Sequence, residues 1–302
     1  MPRKKAKRSN VIMLKEGAAR TATARYDTRE DRDFGIYKPG GPPDAPGRMG
    51  CYYAAVGVID GHRGPACAEK VAQYLPYCIS TSCDNKEVRS SGANVLRTAF
   101  ADAEQHLLDE RSGACCCVAL VYTPPPSSGA AARVTLDVAW LGDCRAFVAR
   151  RSGPIERLTT DHAPAEERDR IEAAGGMLVN DDGLWRVGVK PEPGGEAQKV
   201  DLLATCRAFG DADFKRPNAA VVMTPGVATL ALEPDHEFII LCTDGVYEGL
   251  PTDELVLAAV KAGIADDEFG NPEAGAQAVV DAAVAGGATD DVTCVVWQTE
   301  LE

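Results

Sequence analysis

Tyr52-Tyr53-Ala54-Ala55-Val56-Gly57-Val58-Ile59-Asp60-Gly61-His62 is an almost unbroken apolar run that ends on a carboxylate, a glycine and a histidine. Such a run predicts a strand buried on both faces, with Asp60 carried out of the core at its tip. A carboxylate in that place needs a cation, a basic side chain or several hydrogen-bond donors. Gly61 lets the backbone turn so that its own carbonyl faces the same point. Taken alone, Asp-Gly reads equally well as a turn dipeptide at a strand end.

Recurrence decides between the two. Phe238-Ile239-Ile240-Leu241-Cys242-Thr243-Asp244-Gly245 repeats the construction, and Trp140-Leu141-Gly142-Asp143 and Thr289-Asp290-Asp291-Val292-Thr293 add further acidic strand ends. Carboxylates gathered in this way suit a hard cation, Mg²⁺ or Mn²⁺ rather than Zn²⁺.

With 302 residues, 45% of them hydrophobic and 25% charged, the chain has ample material for a core and the composition of an ordinary soluble protein. A net charge of −13 argues against general attraction to nucleic acid. The 11 cysteines include no Cys-x-x-Cys pair, and Cys115-Cys116-Cys117 cannot all face one way along a strand, so reduced, mostly buried thiols are expected. Val11-Ile12-Met13-Leu14 is too short for a signal-peptide core, and no apolar run is long enough to span a membrane. A cytoplasmic or nuclear protein with no membrane partner is expected, with monomer as the default state.

In chain order, Arg3, Lys4, Lys5, Lys7 and Arg8 make residues 1–20 a basic tail, read as a solvated, disordered segment or as a nuclear-import or electrostatic contact. Arg25 to Asp33 mixes charges of both signs, and Lys38 to Gly47 reads as a loop. Helical spacing of apolar residues predicts helices over Ala66–Ile79 and Ala93–Leu108. Strands are expected over 115–122, 134–140 and 146–148, and a charged helix over 166–174 closed by Gly175-Gly176. From Asn180 to Val200 the pattern dissolves, so a mobile loop or flap is expected within about 175–205. Asn271-Pro272 reads as the start of a final helix through Val284. Clustered strands and helices without a regular βαβ beat favour an α+β fold with antiparallel sheets, and 21–302 as a single domain.

The acidic stations, with the segments between them, resemble the metal-dependent Ser/Thr protein phosphatases of the PP2C (PPM) type. The pieces occur in that family's order: Glu30-Asp31, Asp60-Gly61-His62, Gly142 to Ala146, Leu158 to Pro164, Arg207 to Asp211, Asp244-Gly245, and Asp290 to Thr293. The resemblance implies a sandwich of two antiparallel β-sheets flanked by helix pairs, a four-layer αββα arrangement. It also implies two Mn²⁺ or Mg²⁺ ions at one end, with a weaker third in some members.

Carried over residue by residue, Asp60 would bridge both ions and Asp244 and Asp290 would complete one. Gly61, through its carbonyl, and Glu30 would serve the other. Asp31 would orient metal-bound water, and Asp143 with Asp244 would hold the third ion. A hydroxide shared by two ions then attacks phosphorus in phosphorylated Ser/Thr proteins, the implied partners. His62 resembles the general acid that protonates the leaving oxygen. The other reading of His62 is a histidine that merely hydrogen-bonds an aspartate.

Several positions depart from the pattern. Tyr26 stands where the family carries its phosphate-binding arginine, which leaves Arg25, one residue away, as the candidate. Arg63 replaces a glycine and adds a positive charge that would favour phosphate or acidic substrates. Cys206 stands for a serine and Asp291 for an asparagine. Against the catalytic reading stands a pseudophosphatase that binds phosphoproteins without turnover; loss of a metal carboxylate would favour it, and none is lost.

Overall fold

The computed structural model describes residues 12–21, 30–38, 53–85, 91–123, 133–189, 201–268 and 270–301; for 12–21, 37–38 and 300–301 it describes backbone only. In chain order the first half comprises strands β1 (Ile12–Thr21), β2 (Arg32–Lys38) and β3 (Tyr53–His62), helices α1 (Ala66–Asp84) and α2 (Gly92–Glu104), and strands β4 (Gly113–Tyr122), β5 (Thr135–Leu141), β6 (Arg145–Arg150) and β7 (Glu156–Arg157). Then come α3 (Arg168–Ala173), β8 (Gly176–Asp181), β9 (Leu184–Val189), β10 (Leu202–Leu203), β11 (Phe209–Gly210), α4 (Ala212–Lys215) and β12 (Gly226–Ala231). The chain closes with β13 (His236–Cys242), α5 (Gly245–Gly249), α6 (Asp253–Asp266), α7 (Pro272–Ala285) and β14 (Val292–Leu301).

Two antiparallel sheets carry the fold, one in the order β12-β5-β4-β3-β2 with β11 on β4, the other β1-β14-β13-β6-β7. They pack face to face through Val56, Val58, Cys117, Val138 and Trp140 on one side and Val148, Ile239, Leu241, Val295 and Trp297 on the other. The outer face of the first sheet, with Ile59, Cys116 and Leu120, takes Leu75 of α1 and Leu96 and Phe100 of α2. The outer face of the second, with Phe147, Ile240 and Val296, takes Val256 of α6 and Val279 of α7. The result is the four-layer α+β sandwich. Because both faces of β3 are covered, Tyr53 through Ile59 are all buried, and the period-2 pleat sends Cys115 and Cys117 into the sandwich and Cys116 toward the helices.

Three expectations change. The tail expected over 1–20 reaches less far, because Ile12–Thr21 pairs along its whole length with β14, and the backbone bonds of that ladder hold an edge strand there. Arg32 and Asp33, read only as the end of a stretch of mixed charge, begin β2, which pairs with β3 from Arg32↔Ile59 to Lys38↔Tyr53. The flap is ordered over 176–189: β8 and β9 form a hairpin closed by Asp182-Gly183, both at positive φ (51° and 94°), and β10 adds a third strand. Asp-Gly with both φ positive is the two-residue turn whose twist matches the flanking strands. The small sheet has its own core of Ile171, Val187, Leu203 and Phe214. Residues 190–200 lie outside the described ones.

The last helix begins as expected, the Asn271 side chain accepting from Glu273 N at 3.0 Å with Pro272 in the first turn. No helix among the described residues is long and apolar enough to cross a membrane.

Candidate active site

A cleft of about 590 Å³ opens at the ends of β3 and β13, lined by Glu30, Asp60, Gly61, His62, Asp143, Asp244 and Asp290 together with Arg63, Cys115, Arg186 and the segment 202–205. Asp60 ends the first sheet, Asp244 follows β13 of the second, and Asp143 stands in the turn between β5 and β6, which crosses from one sheet to the other. Their carboxylate oxygens lie within 4.8 Å of one another.

Burial, and then the neighbouring carboxylates, push the Asp60 carboxyl far above its usual range and that of Asp244 up to about 7. Asp143 is raised by burial and then by Asp161. Acids in such a place stay charged only when a cation joins them. The guanidinium of Arg63, just after β3, is turned to other partners: Asp213 at 2.6 Å, Asp211 at 3.2 Å and Asp201 at 3.3 Å. The donor set is all oxygen and all acidic, so it fits Mg²⁺ or Mn²⁺.

Gly61 and Glu30 are brought together by close packing: a Cβ at Gly61 would lie 2.8 Å from the Glu30 carbonyl oxygen. Glu30 Oε1 accepts from Gly64 N at 2.6 Å, and burial raises its carboxyl. Asp31 is placed behind the cleft wall rather than in it. It is buried, its Oδ2 accepts from Thr243 Oγ1 at 2.9 Å, and burial raises its carboxyl to about 8. Thr243 in turn accepts from Thr293 N at 3.0 Å, so one hydroxyl ties Asp31 to both central strands of the second sheet.

Asp290 lines the cleft but stands apart from the three clustered carboxylates; its Oδ1 accepts from Asp291 N at 2.8 Å. Asp291, the departure from asparagine, has a place: its Oδ2 accepts from Glu30 N at 2.6 Å and Asp31 N at 3.3 Å and so fixes the backbone of the acidic pair. Cys206 is buried, its thiol donating to the His162 carbonyl at 3.1 Å. Arg25 and Tyr26 lie outside the described residues.

His62 is joined to Asp211 at 2.7 Å (Nε2 to Oδ2). A carboxylate only accepts, so the ring nitrogen is the donor. Asp211 is fully buried, with a left-handed φ of 50°, at the N-terminus of α4. Asp211 and Thr243 lie within the motif segments but have no role assigned from sequence; a polar residue beside an apolar run is the signal available for each. Arg186, from β9, also enters the cleft, with its Nε on Asp181 Oδ2 at 3.0 Å.

The family model described as Protein phosphatase 2C matches residues 53–292. A probable protein phosphatase 2C 32 of Oryza sativa subsp. japonica is 33% identical over 277 residues, covering 90% of this chain and 62% of the relative. A probable protein phosphatase 2C 14 of Arabidopsis thaliana is 33% identical over 204 residues, covering 66% of this chain and 40% of its own length. The chain thus spans roughly half of these relatives. Among solved structures, a C. elegans sex-determining protein superposes with a TM-score of 0.74 at 20% identity, covering 94% of this chain and 64% of the other. A serine-threonine phosphatase 2C from Toxoplasma gondii does so with a TM-score of 0.67 at 19% identity, covering 94% and 99%. With the family model matched across both sheets and every acidic strand end but Glu30-Asp31, the chain belongs to the protein phosphatase 2C family.

Proposed function

We propose that this protein is a metal-dependent protein serine/threonine phosphatase acting on phosphoserine and phosphothreonine. The observation that carries this reading is the convergence of Asp60, Asp143 and Asp244 from two sheets and the turn between them. Asp60, Asp244, Asp290, Glu30 and the Gly61 carbonyl would hold two Mn²⁺ or Mg²⁺ ions, and Asp143 with Asp244 a third. Such ions, when bound, lower the pKa of a shared water and neutralise phosphate oxygens.

The chain's own residues supply the rest. Thr243 fixes the Asp31 carboxyl behind the cleft wall, so a role toward metal-bound water would be exerted from behind the ligand residues rather than from within the cleft. His62 has Nε2 committed to Asp211, which leaves Nδ1 as the ring nitrogen that delivers a proton to the departing serine or threonine oxygen. A proton donor so placed contributes about 10²–10⁴-fold. Arg186, on the flap side of the cleft, brings a positive charge to phosphoprotein substrates. Arg63, whose charge the sequence reading gave to the substrate, is committed to aspartates instead.

The test is hydrolysis of a phosphothreonine peptide with Mn²⁺, with Mg²⁺ and with EDTA, on the native protein and on Asp60→Asn and Asp244→Asn. Metal-dependent turnover abolished in both variants is expected. A folded protein that binds Mn²⁺ and turns nothing over would leave a phosphoprotein-binding module in place of an enzyme.

A further inference from the structure

Arg63 follows His62 at the end of β3 with a left-handed φ of 63°, a conformation that non-glycine residues adopt at a cost and that persists only where the surroundings enforce it. What enforces it is a set of contacts on one guanidinium. Its Nη1 donates to the Arg111 carbonyl at 2.7 Å, to Asp213 Oδ1 at 2.9 Å and to Asp211 Oδ1 at 3.2 Å. Its Nη2 donates to Asp213 Oδ2 at 2.6 Å and to Asp201 Oδ2 at 3.3 Å, and the group lies 5.1 Å over the Phe214 ring. The two-point contact with Asp213 fixes the plane of the guanidinium, which a lysine ammonium could not do.

Asp211 is therefore held at both oxygens, Oδ2 by His62 and Oδ1 by Arg63. A single bond from the histidine would leave the carboxylate free to rotate; the second oxygen sets its plane. Asp211 also has strained backbone, and the helix it opens is only four residues long, so little else in α4 holds it.

We propose that Arg63 is a positioning residue for His62, anchoring the oxygen of Asp211 that the histidine does not use and so fixing the carboxylate on which the ring is aligned. This rests on the reading of His62 as the proton donor. Through Asp201, which directly precedes β10, the same guanidinium joins the return of the flap sheet to the tip of β3. The proton donor and one wall of the cleft thereby share an anchor.

The test exploits the leaving group. The alkoxide of serine or threonine needs a proton as it departs, whereas p-nitrophenolate leaves without one. His62→Gln should lower kcat on a phosphothreonine peptide about 100-fold or more while leaving p-nitrophenyl phosphate within a few-fold. Arg63→Met should show the same split at smaller scale, about 10-fold against about 2-fold, with partial rescue in Arg63→Lys. Asp213→Asn, which loosens the guanidinium while retaining it, should show the split at about 3-fold, and decides the matter if Arg63→Met does not fold.

In the metal-free protein, the amides of Asp211 and Ala212, which donate to Ser112 and Glu110 carbonyls, should exchange hydrogen about 10-fold faster in Arg63→Met. Equal losses on both substrates, or unchanged exchange at these amides, overturn the proposal. A split in His62→Gln with none in the Arg63 and Asp213 variants overturns it alone. No split in His62→Gln removes the proton-donor reading, and the positioning role falls with it.

Discussion

His62 and Asp211 meet over a backbone that has no side chain: a Cβ at Gly113 would lie 2.2 Å from His62 Nε2 and 2.1 Å from Asp211 Oδ2. Gly113 opens β4, opposite His62 in the β3–β4 ladder. Gly113→Ala must therefore part the pair. Overpacking of this kind costs about 1–3 kcal/mol. The expected outcome is a folded protein that melts a few degrees lower and loses phosphothreonine turnover about 10-fold or more, read by a thermal melt beside a peptide assay.

Asp244 sets stability against function. Its folded carboxyl, near 7, lies above the ordinary value of 3.8, so the unfolded chain ionises first and stability contributed by this group is lost as pH rises from 3.8 toward 7. At neutral pH the neutral isostere relieves that penalty. Asp244→Asn is expected to raise the melting temperature of the metal-free protein by about 3 °C and to abolish the further rise that Mn²⁺ gives the native protein. Melting curves in EDTA and in Mn²⁺ decide it; a lower metal-free melting point in the variant refutes it.

Asp291 serves as an acceptor for two backbone amides, and an asparagine Oδ1 can accept as well. Asp291→Asn should keep turnover within about 3-fold, whereas Asp291→Ala frees the Glu30-Asp31 backbone and should raise the Mn²⁺ concentration needed for half-maximal activity about 10-fold. A metal titration of both variants separates the two.

His162 stacks on Trp140 with ring centroids 5.7 Å apart, and Arg207, bonded to Glu167, lies close enough to act on its charge. Burial first, then Arg207, lowers its pKa from 6.5 to about 4, against the opposing pull of Glu167 and Asp161. The unfolded chain thus takes the proton first. The contribution is fully present above pH 6.5 and is lost as pH falls from 6.5 toward 4. Between pH 7 and pH 5 the urea midpoint of the native protein should fall further than that of His162→Phe, which keeps the stack and cannot titrate.

Much of this was readable in the chain because the site sits where apolar runs stop. Asp60, Asp143 and Asp244 each end a buried strand, and a carboxylate at the edge of a core leaves a sharp mark in sequence. The burial of β3 followed from its being apolar on both faces, whereas the four layers were implied by the family resemblance. The hairpin of β8 and β9 was hidden because its strands are short and largely half exposed, and Met177-Leu178-Val179 run consecutively rather than alternate with polar residues; the Asp182-Gly183 turn was the legible sign. Helix α6 was missed, because its opening sign, Thr252, which accepts from Leu255 N, followed by Asp253 and Glu254, is weaker than the apolar spacing of α1. The pairing of Asp211 with His62 and Arg63 could not be read at all. It joins residues far apart in sequence through side-chain directions that no local pattern encodes.

The three clustered carboxylates are delivered by β3, by the β5–β6 turn and by the end of β13, and the distance between the first and last is set by the seam between the sheets in which Val58 and Ile239 are buried. The seam is thus the gauge of the site, and it exists only once both sheets have closed. A chain still emerging from the ribosome, complete through β6, has Asp60 and Asp143 but lacks β13 and Asp244. Contacts of such long range form late. With the metal site of the proposed function, capture of a divalent ion would mark the end of folding, because half-made chains lack one of its three clustered carboxylates.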